Sequence, residues 1–125
     1  MRFRFRRYKT VNGRCPVDEV LDELLQREPL THAFVIAGLE RLRDGTLHGP
    51  PLTKALPPWV FLEVRVKGTR IFWMYREKQL IVLLGGVNGK DQRKLPNRVF
   101  KMFDGYRLDY LARCTGDEDE YDDQF

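Results

Sequence analysis

Two cysteines and two histidines in 125 residues leave little with which to build a disulfide framework or a thiolate metal centre. Cys15 and Cys114 lack metal-ligand spacing, so reduced thiols in a cytoplasmic protein are the expectation. No apolar run approaches the roughly 20 residues that span a bilayer, and no membrane partner is expected. The basic start, MRFRFRRYK, leads into no apolar signal core, which argues against export. Repeats are absent, and no linker interrupts residues 1–114. A single domain over 1–114 followed by an acidic tail over 115–125 is therefore expected.

What the chain has in excess is positive charge, unevenly spread. Six of its 18 acidic residues fall in the last nine positions, DEDEYDDQF, and all 22 basic residues precede them. The net charge of +4 thus understates a strongly basic body. Such a body predicts a polyanionic partner, with electrostatic steering and salt-sensitive affinity. The tail reads most simply as a disordered, solubilising extension. The alternative is that it folds back over the basic face and mimics a nucleic acid.

Phe3 and Phe5 alternate with Arg2, Arg4 and Arg6, the pattern of a half-buried strand with one basic face. After an Asn12-Gly13 turn, Pro16 opens a helix whose apolar stripe is Val17, Val20, Leu21, Leu24 and Leu25. A second helix is predicted over 30–43, with Phe34, Ile36, Ala37, Leu39 and Leu42 as its apolar positions and Gly45 as its stop. The short link makes the two helices an antiparallel pair. Residues 45–58, rich in Gly and Pro, read as loop. Strands are predicted at about 59–66, 69–76 and 79–87, the last apolar on both faces and hence central. Gly85 and Gly86 permit a bulge or a close backbone approach there. A polar stretch then runs to a C-terminal helix from Pro96, with Val99, Met102, Phe103, Tyr106 and Tyr110 on its buried side. The order is β-α-α-β-β-β-α, an α+β fold with helices gathered at one side of a mostly antiparallel sheet.

Lys67-Gly68 fits a two-residue hairpin turn, which pairs Val66 with Thr69 and sets Arg65 opposite Arg70. Like charges so opposed need an offset, and Glu63 projects from the same face by the period-two rule. Val60, Val64, Val66, Ile71, Trp73 and Tyr75 share one face, the better candidate for packing on the helix pair. Phe61, Glu63, Arg65, Arg70, Phe72 and Met74 share the other, predicted as an open groove, apolar at one end and charged at the other. A carboxylate beside two guanidinium groups suits a phosphate.

The element order carries Phe61-Leu62-Glu63-Val64-Arg65, Gly68-Thr69-Arg70, Leu83-Leu84-Gly85-Gly86-Val87 and a basic loop running into Pro96. In these it resembles the RelE/ParE toxin superfamily, and most nearly its HigB-like, phage-associated branch. The likeness covers about residues 17–113. It implies a RelE-like fold: an N-terminal strand, an antiparallel helix pair, a three-stranded antiparallel meander and a C-terminal helix. It also implies the toxin of a type II toxin–antitoxin system, a ribosome-dependent endoribonuclease that inhibits translation. The 2′-hydroxyl of the messenger RNA would attack the adjacent phosphate without a metal or other cofactor. The expected partners are the ribosome with its messenger RNA and a cognate antitoxin, a helix-turn-helix protein.

On this resemblance Arg70 sits where the family's phosphate-stabilising arginine follows a Gly-x pair, and Arg65 matches the Arg of its Glu-Leu-Arg motif. Lys90, Arg93 and Lys94 match its basic loop, with one extra residue before the proline and Gly89 in place of the first lysine, and Lys67 adds charge at the turn. Some ribonuclease members carry a Lys near position 63 and a Tyr early in the last helix, where this chain has Glu63 and then Val99 and Phe100. Glu63 is open to two roles, general base or clamp on Arg65 or Arg70. His48 is a loop residue within reach of the groove, His32 a helix surface residue. Tyr75 matches the family motif, but its register turns it to the helices and makes it core. Same-fold relatives that poison DNA gyrase without cutting RNA, and a non-toxic nucleic-acid-binding regulator, are the alternatives.

Overall fold

The computed structural model describes residues 2–46, 53–89, 94–114 and 121. The elements run β1 (Arg4–Arg7), α1 (Pro16–Arg27), α2 (Pro29–Asp44), β2 (Thr53–Ala55), β3 (Leu62–Val66), β4 (Thr69–Arg76), β5 (Leu80–Asn88) and α3 (Asn97–Arg113). The predicted α+β order holds, with one strand added. β2 lies in the stretch read as loop and pairs antiparallel with β3, Lys54 opposite Glu63. The sheet order is β1-β5-β4-β3-β2, with the edge strand β1 parallel to the interior β5 and the other pairs antiparallel.

Local chemistry accounts for the helices. Pro16 opens α1 with a preset φ, Asp18 and Glu19 sit in its first turn and Arg27 in its last, each complementing the helix dipole. A single residue, Glu28, separates it from α2, whose first turn again holds a proline. Gly45 ends α2 at φ 82, and Thr46 donates its N–H to the carbonyl of Arg41. The face of α2 is rotated from the expected one: Val35, Gly38, Leu39 and Leu42 are buried, while Phe34 is exposed. Gly38 explains the rotation, because a Cβ there would stand 2.8 Å from Val66 Cγ2, so α2 meets β3 at its glycine.

The sheet has a core on each face. Phe5, Val64, Ile71, Trp73, Ile81 and Leu83 pack with Val17, Leu21, Leu24, Val35, Leu39 and Leu42 of the helix pair. Tyr8, Phe61, Phe72, Met74, Leu80, Val82 and Leu84 pack with Phe103 and Tyr110 of α3. Helices are therefore not gathered on one side, and the second face is not an open groove: α3 covers its apolar part. Full burial of each large side chain contributes about 1.5–3 kcal/mol, ample reason for α3 to dock. Two members of the expected helix-pair face lie at its margin. Val60 precedes the strand and is exposed, and Tyr75, although it touches Phe3 and Trp73 on that side, is 46% exposed. Met102 likewise faces outward from α3.

The bulge expected at the glycines is present. Phe72 pairs with Gly85 and Trp73 with Leu83, so Leu84 is an extra residue in β5, and Gly85 takes φ +148. Among the described residues no helix is long and apolar enough to cross a membrane.

Candidate functional site

The β3–β4 hairpin turns on Lys67 (φ 51) and Gly68 (φ 84), the two successive left-handed residues of a type I′ turn. Val66 pairs with Thr69 and Arg65 with Arg70, as the sequence predicts. The charge conflict is relieved from within. Arg65 donates from Nε and Nη2 to Glu63 Oε1 at 3.2 and 3.0 Å, and Arg70 Nη1 stands 4.0 Å from Oε2. Of the two roles open to Glu63, the geometry therefore displays the clamp.

Burial grades the three groups. Glu63 is 1% exposed and Arg70 5%, whereas the side chain of Arg65 keeps 41% of its surface in solvent. Glu63 Oε2 is buried and accepts no hydrogen bond among the described residues, and at 4.0 Å Arg70 offers it charge rather than a bond. Burial draws the Arg70 guanidinium below its ordinary pKa; the carboxylate of Glu63 pulls it back up, and Arg65 adds to the lowering. The result is a buried ion pair with one guanidinium, that of Arg65, presented to solvent.

Beside this trio lies an aromatic group that the sequence did not single out. Glu63 is the cross-strand partner of Phe72, and Phe72 meets Phe100 of α3 edge-on at 6.0 Å. Phe100 in turn stacks on Trp59 at 6.1 Å and on Phe61 at 6.5 Å. Trp59 and Phe100 are only half-buried, so ring surface remains at the margin of the arginine cluster. The one sequence signal for it was Phe100 standing where some relatives of the suspected family place a tyrosine.

The other expected site residues divide. Lys67 is not brought to the cluster: its Nζ sits 4.8 Å from the centre of the Phe34 ring, on the helix-pair side. There it lines a mixed-charge cleft of about 200 Å³ with Glu23, Arg27, Glu28, Thr69 and Asn88. Lys94 is exposed just ahead of α3, next to the buried Leu95. His32 is half-buried on α2. Lys90, Arg93 and His48 lie outside the described residues, as does the acidic tail apart from Tyr121.

No protein-family model and no curated protein matches the chain.

Proposed function

We propose that the protein is the toxin of a type II toxin–antitoxin pair and cuts messenger RNA on the ribosome. The observation that carries this is the opposed Arg65–Arg70 pair, held by a buried carboxylate and flanked by half-exposed rings. Attack of a 2′-hydroxyl on its own phosphate builds negative charge on the phosphoryl oxygens. A guanidinium fork fixed in advance meets that charge without reorganising, and one such donor is typically worth about 10²–10³ in rate. Arg65 is the member open to solvent, so it contacts the phosphate, and Arg70 adds its field from beneath. Trp59 and Phe100 offer faces for an unstacked base.

In this scheme Glu63 is a positioning residue. Its carboxylate is too buried to meet the 2′-hydroxyl, and Oε1 already accepts both hydrogen bonds from Arg65. Lys90, Arg93 and Lys94 supply further phosphate contacts, and a helix-turn-helix antitoxin would neutralise the basic body. The same burial favours a second reading, an inhibitor that binds without cutting, such as a gyrase poison or a nucleic-acid-binding regulator.

Translating ribosomes programmed with a defined message separate the two. Codon-phased cuts ending in 2′,3′-cyclic phosphate are expected. Intact RNA together with inhibited DNA supercoiling would overturn the cleavage reading in favour of the second.

A further inference from the structure

β4 has an arginine near each end of the α3 face. Arg70 belongs to the cluster above; Arg76, six residues on and so about 20 Å away along the strand, belongs to another. Leu80 is the cross-strand partner of both Arg76 and Arg4, which sets these two arginines about 10 Å apart on one face, with Leu80 between. Arg6 follows on the same face of β1, its guanidinium carbon 6.0 Å from the centre of the Tyr110 ring. Arg76 reaches Cys114 Sγ at 3.9 Å. This end is thus lined by three arginines and the C-terminal turn of α3.

One residue of the acidic tail is seated here. Tyr121 packs against the α3-side core and lays its ring 3.9 Å from the Arg4 guanidinium carbon, a close cation–π contact. Asp119, Glu120, Asp122 and Asp123 lie within two residues of it in the chain. The residue seated at the arginine end is thus the centre of an acidic run in the sequence.

We infer that the Arg4–Arg6–Arg76 end is a second RNA-binding surface, occupied in the free protein by the chain's own terminus with Tyr121 as its anchor. Aromatic stacking on a guanidinium and charge along a flexible chain are the two features by which single-stranded nucleic acid is bound. Tyr121 supplies the ring and the sequence around it the charge, so RNA and tail compete for the same three arginines. The inference is independent of RNA cleavage and concerns affinity alone.

The test uses the full chain in two measurements. In NMR spectra of the arginine side chains, the Arg4 Nε–H and Hδ signals are expected to carry a ring-current shift that is lost in Tyr121→Phe only in part and in Tyr121→Ala completely. The shift should not depend on protein concentration. Binding of a short fluorescein-labelled oligouridine at low salt should tighten about fivefold in Tyr121→Ala and lose its advantage at high salt. Adding Arg4→Ala to that variant should remove the gain. Absence of the shift, or its growth with concentration as for a contact between copies, overturns the docking in cis. A shift with unchanged oligouridine affinity overturns the competition. Neither outcome bears on whether ribosome-bound message is cut.

Discussion

The two ends of β4 solve the same problem in different ways. At the Arg70 end, two guanidinium groups are forced together by a tight turn and quieted by Glu63, an internal carboxylate buried with them. At the Arg76 end, the three arginines are spread over two strands, β1 and β4, on either side of β5, and Arg4 and Arg6 are met by aromatic rings, one of them that of Tyr121. The first arrangement is part of the fold and cannot be lifted away without leaving a charge in the core. The second is removable, because its anchor is a side chain on an appended segment. A built-in partner makes a preorganised site; a detachable one makes an adjustable surface.

The largest effect should come from breaking the first arrangement. Glu63→Ala leaves Arg70 buried without its carboxylate and is expected to cost about 3–5 kcal/mol, read from urea unfolding. A loss below about 1 kcal/mol would show that the end is held by something other than the pair. Next, on the proposed toxin function, Arg70→Ala should abolish growth inhibition while costing only about 1–2 kcal/mol from lost packing, with the circular dichroism spectrum unchanged. Arg65→Ala, being half-exposed, should cost less stability than Arg70→Ala yet impair toxicity as strongly; unaltered toxicity in either variant removes that arginine from the site.

A smaller effect is set by pH on the α3 side. Tyr8 belongs to the α3-side core, and its hydroxyl donates to Asp109 Oδ2 at 2.6 Å. Burial first, and then Asp109, raise the Tyr8 pKa above its ordinary 10. The folded chain thus holds this proton longer than the unfolded one. The associated stability is complete below pH 10 and is lost as pH rises through the raised value. Urea midpoints should fall in that alkaline range, and Tyr8→Phe should flatten the fall; a variant with the same slope as the parent would assign it elsewhere. Smallest of all, Tyr121→Ala should change stability by less than about 1 kcal/mol, since it breaks one cation–π contact and removes a ring that is only partly buried. A larger loss would mean that the terminus is part of the fold and the second arrangement is not removable.

How much of this was legible depends on the range of the information. The hairpin register was readable because Lys67-Gly68 fixes it locally, and Glu63 followed by parity. The clamp on Arg65 follows from residues two apart. What failed was set by packing between distant segments. The stripe on the last helix marks an apolar side but not which sheet face receives it, so the sequence shows neither that α3 covers the second face nor that Met102 points outward. Thr53–Ala55 is too short to display alternation, and its strand exists only because β3 offers an edge. Phe34 looked like core until Gly38 brought α2 down onto Val66. The Trp59–Phe100 stack joins the stretch before β3 to α3, and nothing local to either announces it.

The extra residue at Leu84 has a consequence for the whole α3 side. On β5, Val87 partners Arg70 and packs on that side, an odd-numbered position; beyond the bulge the positions on the same side are Leu84, Val82 and Leu80, all even. The bulge is thus a phase correction of one residue between the two arginine ends of a single face. Without it, the numbering that sets Arg76 and Arg4 astride Leu80 would turn Val87 toward the helix pair and carry its partner's environment with it. A deletion at this point would change no charge and remove one leucine, yet it would put the two ends of the molecule out of step.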